Sequence, residues 1–243
     1  MNRLPDLLED LAAADTVSDA LRRLAASDPR DPILGINLGA VARRRRDLER
    51  QLSTLLATEQ RDLIRYRLVS HDGSTASALA VARSVLLFQT LVTSVFDAIR
   101  TTPKRLYQPS AESVRLSALY LASASDGRHA LHFTIPNDRL LILESDLDET
   151  FALVFELLTA RAKTAIRDLA SRAGIASVAA AHSWAENAVQ HGLVTTIGWR
   201  KSGAERRTAS LTHSDALLFK TAVEAVNDST VEQVECDCEL MAL

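Results

Sequence analysis

The chain changes its hydrophobic period once, near residue 61, and that change limits its fold more than any other feature. Upstream, apolar residues recur at helical spacing. Leu4, Leu7, Leu8 and Leu11 come first; Leu38, Val41, Leu48, Leu52 and Leu55 follow at steps of three and four, with Arg45 in the remaining place. Downstream, Ile64, Tyr66 and Leu68 alternate with Arg65 and Arg67, the period of a half-exposed strand. Neither an all-helical bundle nor an all-strand sandwich accommodates both periods. The expectation is a helical segment over 1–61 and an α+β domain over 62–243.

Within the first segment, Thr16 or Ser18 is placed to cap a second short helix carrying Ala20, Leu21 and Leu24. Asp28, Pro29, Asp31 and Pro32 make a break, and a longer helix is predicted over about 36–60. Its leucine series is a short coiled-coil-like seam that pairs with a neighbouring helix or a second copy. After residue 61 the predicted order is β-α-β-β-α-α-α-β-β-α-β. A strand over 62–70 precedes an apolar helix over 77–100. Strands over 114–124 and 129–135 flank a hairpin turn. Helices follow over about 145–158, 165–173 and 175–191, with Gly174 and Gly192 as stops. A second hairpin covers 193–212, and a last helix carries the stripe Leu218, Phe219, Ala222, Val223 and Val226. The closing segment, 231–243, alternates through Val234, Cys236, Cys238 and Leu240 as a strand. The fold class is α+β: an N-terminal helical segment, then a mixed, hairpin-rich sheet packed with helices.

Composition removes several classes of function. A chain of 243 residues that is 47% hydrophobic buries enough surface to need no metal or disulfide for its core. Its 28 basic and 31 acidic residues leave a net charge of −3, which argues against wholesale attraction to nucleic acid or an anionic membrane. Two cysteines exclude a disulfide-stapled scaffold. The most apolar stretch, 77–99, is interrupted by Arg83, Gln89 and Asp97, so it reads as a core helix and no membrane partner is expected. The first residues carry Asp6, Glu9 and Asp10, unlike a secretory peptide. A cytoplasmic location follows, and the excess of arginine over lysine points to a GC-rich bacterial coding sequence.

Residues able to drive chemistry are not gathered. No phosphate-binding glycine loop, zinc-protease helix or nucleophile-elbow motif occurs. Ser145 followed by Asp146, Asp148 and Glu149 reads as a helix cap rather than a metal cluster. His182 and Glu186 lie one helical turn apart but have no third ligand. Cys236 and Cys238 share one strand face and read as small buried hydrophobes. No catalytic residue, metal or cofactor is therefore expected. The leading expectation is a non-enzymatic, cytosolic protein-interaction or assembly subunit, bound to another chain or to itself as a homo-oligomer. Its expected contact residues are Arg43, Arg44, Arg45, Arg46, Leu48, Leu52 and Leu55. An enzyme whose site is assembled from distant residues is the alternative that a linear reading leaves open.

Residues 163–225 carry one resemblance. A helix over 165–173, the turn at Gly174, a helix to His191, then Gly192-Leu193-Val194 and the basic run Arg206-Arg207 resemble the back half of a winged-helix module of the MarR type. The resemblance implies a DNA-binding regulator, with Arg200, Lys201, Arg206 and Arg207 as nucleic-acid contacts. The residues themselves also read as a packed helical hairpin followed by a β-hairpin of the main sheet. Residues 177–190 contain no Arg or Lys, which keeps nucleic acid from being the favoured partner.

Overall fold

A computed structural model describes residues 3–73, 76–125, 130–137, 145–201 and 204–227. The chain begins with two long helices, α1 (Arg3–Ser27) and α2 (Pro32–Thr58), which pack as a hairpin. Asp31 caps α2, accepting from the Ile33 amide at 2.8 Å, with Pro32 in the first turn. The break expected at 28–32 is therefore present. α1, however, is one helix where two were expected. The Thr16 hydroxyl donates to the Ala12 carbonyl at 2.9 Å, one turn back, so it sits inside a helix instead of starting one.

The remaining elements are β1 (Arg61–Ser70), α3 (Ala78–Arg100), α4 (Ala111–Leu116), β2 (Tyr120–Ser125), β3 (Ala130–Pro136), α5 (Asp146–Thr159), α6 (Lys163–Ala173), α7 (Ile175–Gln190), β4 (Leu193–Lys201), β5 (Ala204–Leu211) and α8 (His213–Asn227). The class is α+β. Among the described residues the strands form one sheet in the order β2-β3-β1-β4-β5 with every pairing antiparallel, where a mixed sheet was expected. Residues 114–116, expected in a strand, belong to α4. Ser110 caps that helix by accepting from the Ser113 amide, and the Asp97 carboxylate accepts from the Ser110 amide at 3.0 Å. This tertiary anchor outweighs the local strand pattern.

β1 is the central strand, and its alternation divides the sheet into two faces. Ile64, Tyr66 and Leu68 face a layer built from α3, α5, α6, α7 and α8. There Phe88, Phe151, Phe219, Trp184 and Ile197 are fully or almost fully buried. Tyr66 is buried with its hydroxyl satisfied: Trp184 Nε1 donates to it at 2.8 Å, and Ser84 Oγ lies 2.8 Å away. Burial pushes its phenol up to about 12, so it is neutral at any physiological pH. α3 is the one helix among the described residues that is long and apolar enough to cross a bilayer, and half of its most apolar stretch is buried here.

Gly174 shows how tightly this layer is joined. It links α6 to α7 at φ +85, and a Cβ at this position would lie 2.7 Å from both the backbone nitrogen and the carbonyl oxygen of Lys104. Only glycine supplies both that conformation and that approach. α8 buries Ala216, Phe219 and Val223, while Leu218, expected in its stripe, is exposed. It lies one residue from Phe219, about 100° around the helix and away from the core. The expected strand over 231–243 with Cys236 and Cys238, the first hairpin's turn and His129 lie outside the described residues.

Candidate functional site

The second face of the sheet carries Leu63, Arg65 and Arg67 from β1, His132 and Thr134 from β3, and Gly198 and Arg200 from β4. The α1–α2 hairpin covers only one end of this face. Leu4, Leu8, Leu52 and Leu56 pack there on Leu63. Beyond that contact the hairpin and the sheet diverge and enclose a cleft of about 610 Å³. This is the size range of small-molecule sites.

The strand register sets the floor of the cleft. Arg65 stands opposite His132 on one side and Gly198 on the other, while Arg200 stands opposite Leu63. Arg65 and Arg200 are therefore diagonal neighbours on one face, with no side chain at Gly198 between them. Ser123, brought in by β2, places its hydroxyl 3.1 Å from His132 Nδ1. The opposing wall offers Leu8, Leu11, Ala12 and Leu52 along with Glu9, Asp15, Arg45 and Glu49. Arg45 is neutralised twice, by Asp15 at 2.8 Å and Glu49 at 3.1 Å. Arg65 and Arg200 form no ion pair among the described residues, and the acidic residue opposite Arg200 in the register is Glu205 of β5.

His132 is buried, and burial, reinforced by the Arg65 charge, pulls its imidazole down to about 4 from 6.5. It is neutral near pH 7. The native state resists its protonation, so the associated stability is complete above about pH 6.5 and is lost as pH falls toward about 4, a loss of about 2–3 kcal/mol. His132→Asn should remove that part of the acid slope. Urea midpoints measured near neutrality and near pH 4.5 should differ less in the variant than in the wild type, and equal differences would contradict the assignment.

The residues expected from sequence fall elsewhere. Leu48 and Leu52 are buried within the chain, and Leu55 is half-buried, its place in the seam taken by Leu56. The leucines of α2 face α1 and the sheet, so Leu48 and Leu52 are corrected from partner contacts to core. Arg44 pairs with Asp10 at 2.9 Å and Arg45 with Asp15, which ties α2 to α1. Arg43 and Arg46 are exposed, and Arg46 Nε donates to the Ala42 carbonyl of its own helix.

The four basic residues of the winged-helix resemblance do not form one patch. Arg200 lies in the cleft. Lys201 points to the other face and pairs with buried Asp148 at 2.7 Å. Arg207 NH1 donates to the Ala152 carbonyl. The side chain of Arg206 lies outside the described residues. α7, the helix placed to read a groove, is mostly core: Ser177, Ala181, Trp184, Ala185 and Ala188 are buried. β4 and β5 are strands of the main sheet rather than a projecting wing.

The acidic run at 145–150 is a cap. Ser145 and Asp148 form reciprocal bonds at the start of α5. His182 Nε2 lies 3.5 Å from Glu224 of α8. Among the described residues no group of three or more acidic, histidine or cysteine side chains is placed to hold a metal ion. The sequence reading missed Arg65, Ser123 and His132 as a set. They stand 9 to 67 positions apart, and only the strand register brings them together. Comparison with protein-family models, with curated proteins and with solved structures finds no match to this chain.

Proposed function

We propose that the chain is a protein-interaction subunit that assembles with a second copy of itself through the free end of the α1–α2 hairpin. One observation carries this reading. Between Ala14 and Leu48 no hairpin side chain is buried, yet Val17, Leu24, Ile33 and Ile36 are 48–67% exposed. Helices of 25 and 27 residues are about 40 Å long, and only the end near the sheet packs on the body. A two-helix arm has no interior for such residues. Two arms packed as a four-helix bundle do. The exposed guanidinium groups of Arg43 and Arg46 flank this apolar end and suit contacts to acidic residues of the second copy, such as Asp19 or Asp28.

Sedimentation equilibrium tests the proposal. The expected mass is twice 26.5 kDa at micromolar concentration, and the double variant Ile33→Glu, Ile36→Glu is expected to return to one chain with its helix content unchanged. A wild-type protein that stays monomeric to tens of micromolar overturns the reading.

A further inference from the structure

We propose that the cleft between the hairpin and the sheet binds a small organic anion: a compact apolar body carrying one phosphate or carboxylate group. Two cations set diagonally on one sheet face repel each other, and neither Arg65 nor Arg200 forms an ion pair among the described residues, although Glu205 of β5 stands opposite Arg200 in the register. An oxyanion between them receives two charge-assisted hydrogen bonds. Gly198, directly opposite Arg65, is buried and adds no side chain of its own to the floor between the two guanidinium groups. The Ser123 hydroxyl and the neutral imidazole of His132 add uncharged polar contacts at the same end of the cleft. The wall facing them is apolar through Leu8, Leu11 and Leu52, which suits a hydrocarbon or aromatic body.

The charges on that wall decide between ligand classes. Glu9, Asp15 and Glu49 line it, with Arg45 occupied by the latter two. A polyanion such as a nucleic-acid strand would meet those carboxylates, and no Phe, Tyr or Trp lines the cleft for a base to stack on. A ligand with a single anionic end avoids both problems. Inorganic phosphate alone would leave the apolar wall uncovered, in a space of about 610 Å³.

Isothermal titration calorimetry on the full chain, with phenyl phosphate, benzoate, inorganic phosphate and phenol as probes, tests the assignment. At least one of the two aromatic anions should bind one per chain, more tightly than inorganic phosphate, while phenol should give no heat. Arg65→Gln and Arg200→Gln should each weaken that binding about tenfold or more. The tighter of phenyl phosphate and benzoate identifies the anionic group. The same anion should raise the midpoint of the His132 ring titration followed by NMR, because negative charge arriving beside the imidazole favours its charged form. The charges facing that ring are Arg65 from its own sheet, Arg200 from β4, and Glu9, Asp15, Arg45 and Glu49 from the helices. No binding by either aromatic anion at millimolar concentration, or binding that ignores both substitutions, overturns the proposal. If either variant fails to fold, the wild-type ring titration decides: an anion that binds without moving the His132 midpoint sits elsewhere. The assignment is independent of self-association, because the cleft lies at the sheet end of the hairpin. A monomer that binds the anion refutes one proposal and supports the other.

Discussion

Trp184→Ala is expected to lower the unfolding free energy by about 4 kcal/mol, the range for removing a fully buried aromatic ring. Trp184 lies midway along α7 and is completely buried. Its ring packs among residues of the sheet and helix layers, and its Nε1–H satisfies the Tyr66 hydroxyl at 2.8 Å. Truncation leaves a cavity and takes a donor from a phenol that sits in the core. Trp184→Phe keeps most of the volume and should cost less than half as much. Urea unfolding checks both. A loss below about 1 kcal/mol for the alanine variant would mean that α7 is a surface helix, and the groove-reading alternative would then return.

Lys104→Met is expected to cost about 2 kcal/mol near neutral pH, because it leaves the buried Asp97 carboxylate without its ammonium while the one-third exposure of the Lys104 side chain screens part of the loss. The Asp97 carboxylate is 3% exposed and lies 2.6 Å from Lys104 Nζ. Burial pushes this carboxyl up, but the Lys104 ammonium and the Ser110 amide outweigh burial and hold it below the usual range. In the wild type its contribution is present above the ordinary carboxylate range and is lost as pH falls through the depressed native value. Without the ammonium, burial dominates and the carboxyl is driven upward. The variant's penalty should therefore shrink as the solution is acidified and Asp97 takes up a proton. Urea midpoints near pH 7 and near pH 5 read this directly. A penalty equal at both values would mean that Lys104 acts through packing alone.

Much of the fold was legible because the chain states its local rules openly. The positive-φ stops at Gly174 and Gly192, the Ser145 cap and the alternation of Ile64, Tyr66 and Leu68 each give one local answer. The α1 error arose at Thr16, a residue type that caps helices in one context and back-bonds inside them in another. Residues 114–116 were misread because the deciding contact, Asp97 to Ser110, spans 13 positions and leaves no local trace. The cleft was illegible for a related reason. Arg65 read as the polar side of a strand and Arg200 as a wing cation, and each description was locally sound. That they share a floor depends on register: Leu63 opposite Arg200, Arg65 opposite Gly198. The leucine series of α2 was visible, but its partner was supplied by the same chain.

The position of β1 in the middle of the sheet has a consequence for synthesis. Tyr66 faces Leu131 on one flank and Ile197 on the other, so the second flank is closed only after more than half of the chain has followed. At a ribosomal pace of about 10 residues per second, that interval is on the order of ten seconds. Throughout it the nascent strand presents bare hydrogen-bonding groups and an oily face to the cell. Slow, late-locking folding is expected of such wiring, and chaperone dependence during translation is its natural companion.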